Sequence, residues 1–76
     1  MSTKNSILYS RDMGRVKRGG YIIEWWIGDH YPKHVHVYLD GKLVAKVQVP
    51  GLLVLTGQIN RRILKILQEL VKENKI

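Results

Sequence analysis

The sequence contains no cysteine, and no stretch approaches the roughly 20 consecutive apolar residues that a membrane-spanning helix requires. Without cysteine, the chain can form neither a disulfide bond nor a thiolate metal site. The lack of disulfide bonds is common among proteins of the reducing cytoplasm. Residues 1–5 also lack the apolar run of a signal peptide. We therefore expect a soluble, cytoplasmic protein with no membrane contact.

Acidic residues are scarce in this chain. Six Asp and Glu face 13 Lys and Arg, so the formal net charge is +7. Such an excess of positive charge costs stability through self-repulsion and attracts polyanions. We expect RNA or another polyanion as the partner, with a small acidic protein as the next candidate. The alternative interpretation is that the charge serves solubility alone.

Seventy-six residues make one small domain with a limited core. Residues 1–20 form a basic lead-in that we expect to be partly mobile, with a short edge strand at residues 7–9. Residues 21–76 form a single α+β domain. Within it, alternating β-forming residues predict strands at the following positions: residues 21–27, 34–39 and 43–49, with a short fourth strand or an extended connection at 52–55.

The C-terminal segment has the periodicity of an amphipathic helix from residue 59 to about residue 74, with Asn60 or Thr56 as its N-cap. A helix with one apolar face needs a sheet face to cover. We therefore predict a three- or four-stranded antiparallel β-meander with one C-terminal helix packed on one face.

All three histidines, His30, His34 and His36, lie within seven residues. Side chains alternate along a strand, so His34 and His36 share one face and the intervening valine faces the other way. Histidine can donate, accept or bind a metal near neutral pH. This cluster is the first candidate for a functional site.

The face that carries the histidines depends on the turn after the second strand. A two-residue loop would place both histidines on the apolar face. A three-residue loop over residues 39–41 pairs His36 with Val44 and His34 with Lys46, so that the valines face the core. Because burial favours this second register, we predict the three-residue loop. The predicted helix-covered face contains Ile23, Trp25, Val35, Val37, Leu43, Ala45, Val47 and Val49. The predicted opposite face contains Glu24, Trp26, His34, His36, Tyr38, Lys46 and Gln48.

The segment from residue 21 to about residue 76 resembles a widespread family of short bacterial proteins, the domain of unknown function DUF4160. The resemblance rests on these elements: Asp29-His30-x-Pro32-x-His34-Val35-His36-Val37, the Asp40-Gly41 turn, Ala45-Lys46, Gly57 and Arg61-Arg62-Ile63-Leu64. Members are often encoded beside a small second protein, in arrangements that resemble toxin–antitoxin pairs. The resemblance implies this context and no chemistry.

RNA binding is the function that the residues favour, within such a pair. Trp26 and Tyr38 could stack unpaired bases, and the candidate phosphate-binding residues are Lys46, Arg61 and Arg62. A metal-independent ribonuclease would further need a base and an acid, for which His34 and His36 are the candidates and His30 the alternate.

Three other interpretations remain open. His30, His34 and His36 could bind zinc through three nitrogen ligands, although the RNA hypothesis needs no cofactor. His30 could instead only hold the loop between the first two predicted strands. The chain could also be a non-enzymatic protein-interaction module, the neutralising half of a pair.

Overall fold

The computed structural model describes residues 13–26 and 33–76. These residues form five strands and one helix: β1 (Met13–Arg18), β2 (Tyr21–Trp26), β3 (His34–Leu39), β4 (Lys42–Gln48), β5 (Leu53–Gly57) and α1 (Arg61–Lys72). All neighbouring strands are antiparallel, and their order in the sheet is the order in the chain. The α+β class, the meander and the C-terminal helix are confirmed, with one strand more than predicted.

The additional strand, β1, lies within the segment that we interpreted as a basic lead-in. It joins β2 through Gly19 and Gly20, whose φ angles of 56° and 86° suit a tight two-residue hairpin turn. The Gly-Gly pair is therefore the sequence signal that could have identified this hairpin. The short strand predicted at residues 7–9 lies outside the described residues.

The core lies between one face of the sheet and the apolar face of α1. The sheet contributes completely buried side chains at Ile23, Val35, Val37 and Val47. The buried side chains of α1 that pack against this face of the sheet are Ile63, Ile66, Leu67 and Leu70. The predicted core residues of the sheet are confirmed with one exception, since Leu43 is 46% exposed.

The predicted three-residue loop between β3 and β4 is wrong. Asp40 and Gly41 have φ angles of 52° and 79° and form a two-residue turn, whose backbone matches the twist of the flanking strands. A β-bulge at Val44 then shifts the register. His36 pairs with Lys46, not Val44, and His34 pairs with Gln48, not Lys46.

The bulge reconciles the tight turn with burial of the core. Tyr38 pairs with Leu43 before the bulge, whereas Val37 pairs with Ala45 after it. Leu43 therefore shares the face of Tyr38 and leaves the core, while the valines of β3 still face α1. The facing that we predicted for the histidines is correct, although the register that produces it is different.

Asn60 is the N-cap of α1, one of the two predicted alternatives. Its side-chain oxygen accepts a hydrogen bond from the Ile63 backbone N–H at 2.8 Å. Its side-chain amide donates to the Tyr21 hydroxyl at 3.0 Å. This second bond ties the start of the helix to the start of β2, so the cap also positions α1 on the sheet.

A double hydrogen bond ties the end of β1 to the end of α1. The Arg18 guanidinium donates to both carboxylate oxygens of Glu73, at 2.7 and 2.9 Å, and lies 3.7 Å from a carboxylate oxygen of Glu69. The hydrogen bonds from Arg18 lower the pKa of the Glu73 carboxyl group. The charged form of Glu73 is therefore favoured in the folded protein.

This contact predicts a specific loss of stability in acid. A lowered carboxyl pKa stabilises the fold above the pKa of the unfolded chain, and this contribution disappears as the pH falls through the folded-state pKa. We expect Glu73→Gln to be less stable than the wild type at neutral pH, with the difference closing in the acid range. Urea unfolding at a series of pH values measures this difference in stability. The control is Glu69→Gln, which removes only the 3.7 Å contact with Arg18. An equal difference at every pH would contradict the prediction.

Candidate nucleic-acid interface

The face of the sheet opposite α1 carries the predicted site residues of the strands. We call it the open face and define it by the following residues: Arg15, Ile22, Glu24, Trp26, His34, His36, Tyr38, Lys46 and Gln48. All are half-buried except Arg15, which is exposed. The seven residues predicted for this face all lie on it. Strand alternation places them there, because their neighbours in sequence fill the core.

A row of polar side chains crosses four strands of the open face. Arg15 is opposite Glu24, Glu24 is opposite His36, and His36 is opposite Lys46. The Arg15 Nε atom lies 3.5 Å from a carboxylate oxygen of Glu24, whose side chain is only 18% exposed. Because Arg15 neutralises the one carboxylate of the row, Lys46 is left as a net positive charge beside the histidine.

His36 lies at the centre of an aromatic cluster, which we define as Trp26, His34, His36 and Tyr38. Its ring centroid is 4.9 Å from that of Trp26, with an interplanar angle of 62°, and 5.2 Å from that of His34, with an angle of 32°. The Tyr38 ring lies 6.3 Å away, and its hydroxyl is 3.4 Å from His36 Nδ1. The cluster is therefore a connected platform of rings drawn from two strands.

The spacing of His34 and His36 bears on cleavage chemistry. In phosphoryl transfer the attacking and leaving oxygens are roughly in line, so a base and an acid must act on different sides of the phosphorus. Packed atoms are about 3.5–4.0 Å apart, so ring centres separated by 5.2 Å leave no space for a phosphate between them. The two rings instead present adjacent groups from one surface, an arrangement suited to recognition.

The structure does not bring Arg61 and Arg62 together with the open face. Both residues are exposed in the first turn of α1, where we predicted the helix to begin. That helix covers the other side of the sheet. A Cβ atom placed on Gly19 would lie 3.7 Å from Arg62 Cδ, so the stem of Arg62 lies beside the β1–β2 turn. The predicted phosphate-binding residues are thus divided between two sides of the molecule.

The predicted zinc alternative depends on a histidine that the described structure does not include. His30 lies outside the described residues, as does Asp29. Within residues 13–26 and 33–76, no group of three His, Asp or Glu side chains is placed to hold a metal ion. His34 and His36 are therefore the two candidate ligands that the structure places together.

Sequence reasoning missed Arg15, which joins the open face through the unpredicted strand β1. It also missed a pocket of about 260 Å³ on the α1 side, formed where Tyr21 and Val44 meet Asn60 and Ile63. The pocket lining contains no charged side chain. The open face is where the structure brings together Trp26, Tyr38 and Lys46, three of the five predicted nucleic-acid-binding residues.

Comparison with known proteins identifies one family. Residues 20–76 match the family described as Domain of unknown function (DUF4160). No curated protein and no solved structure matches the chain. Among the described residues, no helix is long and apolar enough to cross a membrane.

Proposed function

The chain belongs to the DUF4160 family of unknown function, and from that premise we propose that it binds single-stranded RNA through the open face. The observation that carries the proposal is the aromatic cluster, four rings on a sheet face that α1 leaves uncovered. Aromatic side chains on a sheet stack unpaired bases in known RNA-binding modules. The comparison with those modules concerns only the chemistry of stacking, for which this chain provides Trp26, His34, His36 and Tyr38.

The charges of the described residues support binding to phosphates. Glu24 lies within 4 Å of Arg15, and Glu69 and Glu73 lie within 4 Å of Arg18, so these three carboxylates already have an arginine partner. Lys46 is half-buried in the row next to His36 and forms no ion pair within the described ranges. An ammonium group beside a stacking platform can hold the phosphate of a base that lies on the platform.

Single-stranded RNA fits the open face better than a duplex does. Rings on a sheet can reach only bases that are free of their own stack. Four spacings between adjacent strands, each about 4.8 Å, give the sheet a width of roughly 19 Å. The open face is therefore wide enough for a few nucleotides.

Two finer features of the sequence-based hypothesis belong to the same proposal. The adjacent packing of His34 and His36 supports a role in recognition more than a base–acid pair for cleavage. A small acidic partner protein, as in a toxin–antitoxin-like pair, would compete with RNA for the open face because both would be drawn to Lys46.

Fluorescence anisotropy with a labelled RNA of about ten nucleotides tests the proposal. We expect binding that weakens as salt rises, with a slope of about −0.7 per phosphate contacted. Lys46→Ala is expected to weaken binding several-fold and to reduce that slope by about 0.7. Lys65→Ala removes the same charge from the exposed side of α1 and is the matched control.

Two results would contradict the proposal. One is the absence of salt-sensitive binding to single-stranded RNA, and the other is an equal loss in Lys46→Ala and Lys65→Ala. Electrophoresis of the same RNA samples, with His34→Ala and His36→Ala in parallel, reports whether the bound RNA is also cleaved.

A further inference from the structure

Among the described residues, the two edges of the sheet are β1 and β5, and they have opposite character. β1 carries three cations, Arg15, Lys17 and Arg18, within six residues. β5 carries no charged residue and no proline, and every one of its five residues is exposed. Leu53 is 60% exposed and Leu55 is 39% exposed. One edge of this sheet is therefore charged, and the other is apolar.

An exposed apolar edge strand is a surface on which another strand can pair. Edge strands present unpaired N–H and C=O groups, and proteins commonly guard them with lysine, proline or a bulge. β1 has the charges, whereas β5 has only a bulge: Thr56 pairs with Lys46 and Val54 with Val47, which leaves Leu55 as the extra residue. The bulge bends β5 but leaves its leucines exposed.

We propose that two copies of this chain pair antiparallel through β5, about a two-fold axis near Leu55, to form a continuous ten-stranded sheet. A two-fold contact brings the same surface of each copy together, so the surface must tolerate its own charge. Residues 53–57 carry none. Pairing through β1 would instead bring together two copies of a strand with three cations, of which Lys17 forms no ion pair among the described residues.

Lys46, the lysine of β4 on the open face, does not oppose this pairing. Lys46 on β4 is separated from its counterpart by three strand spacings, about 14 Å. That distance exceeds the screening length of about 8 Å at physiological salt. The repulsion between the two copies of Lys46 is therefore largely screened, and the exposed leucines gain burial.

The proposed dimer has a defined geometry. Two-fold axes that relate antiparallel strands run perpendicular to the sheet, so both copies of α1 lie on one side and both open faces lie on the other. If the proposed RNA binding holds, one strand of RNA can cross from one open face to the next. A five-residue edge buries less than the roughly 800 Å² per partner of a standard interface, so we expect a dimer that dissociates on dilution.

Sedimentation equilibrium over a range of concentrations tests the dimer. The wild type is expected to approach twice its monomer mass, and Leu55→Lys is expected to remain monomeric. Leu39→Lys is the matched control, since Leu39 is 36% exposed but lies on the central strand β3. Circular dichroism reports whether each variant is folded. A wild type that stays monomeric, or a folded Leu55→Lys that dimerises like the wild type, would overturn the proposal.

Engineered cysteines identify the edge that is used. Because the chain contains no cysteine, any disulfide in a single-cysteine variant joins two copies. With an added oxidant, Leu55→Cys is expected to cross-link at least several-fold faster than Lys17→Cys on β1, and equal rates would refute pairing through β5. RNA binding by monomeric Leu55→Lys would leave the proposed function intact, so the two proposals can fail separately.

Discussion

Replacing Leu67 with alanine is expected to destabilise the protein by about 2–5 kcal/mol. Leu67 is completely buried at the middle of α1, against the valines of the sheet. The substitution removes its methyl groups from the core and leaves a cavity that the sheet cannot fill. The free energy of unfolding of a natural protein is roughly 0.05–0.15 kcal/mol per residue, which gives about 4–11 kcal/mol for a domain of this size. This one change therefore removes a large fraction of the stability.

Urea unfolding followed by far-ultraviolet circular dichroism measures the loss at Leu67. Leu64→Ala is the matched control, because it is the same substitution in the same helix, at a position that is only half-buried. Its loss is expected to be clearly smaller. Equal losses at the two positions would mean that α1 does not pack on the sheet through the face described here.

Replacing Trp26 with alanine is expected to lower the affinity for single-stranded RNA by about fivefold to more than a hundredfold. Stacking of a base on an aromatic side chain contributes about 1–3 kcal/mol, and 1.4 kcal/mol corresponds to a factor of ten. Trp26 has the largest ring of the open face, and His36 packs against it at 4.9 Å. The substitution therefore removes the Trp26 ring as a stacking surface and also removes the ring against which His36 packs.

The matched variant for this prediction is Trp26→Phe, which keeps a ring at the same place. Anisotropy titrations should show that Trp26→Phe retains most of the affinity that Trp26→Ala loses, at an unchanged salt dependence. Arg62→Ala, on the other side of the sheet, should have little effect. If phenylalanine and alanine at position 26 weaken binding equally, stacking is not the source of the affinity.

The side-chain directions of β2 and β3 could be predicted from local alternation combined with burial. Val35 and Val37 alternate with His34 and His36, and a strand has no other way to bury two valines on one face. Reasoning of the same local kind predicted α1 and gave Asn60 as one of two candidates for its N-cap, because helical spacing and capping are short-range properties. The prediction of α1 and its cap required no knowledge of the strand partners.

The register of the β3–β4 hairpin could not be derived in this way. We predicted a three-residue loop because the tighter turn alone would have turned the histidines toward the core. The structure uses the tighter turn and corrects the facing with a bulge at Val44. A bulge depends on how β4 packs against both of its neighbours, and no pattern within β4 marks it.

The sequence by itself determined which side chains of β2 and β3 share the open face, because alternation and burial act between residues close in the chain. Only the tertiary structure decided which of them meet. Pairing between strands placed Arg15 beside Glu24 and His36 beside Lys46, while the packing of α1 put Arg61 and Arg62 on the far side. Contacts between residues distant in the chain depend on the relative placement of whole elements, which the free energy of the entire core selects.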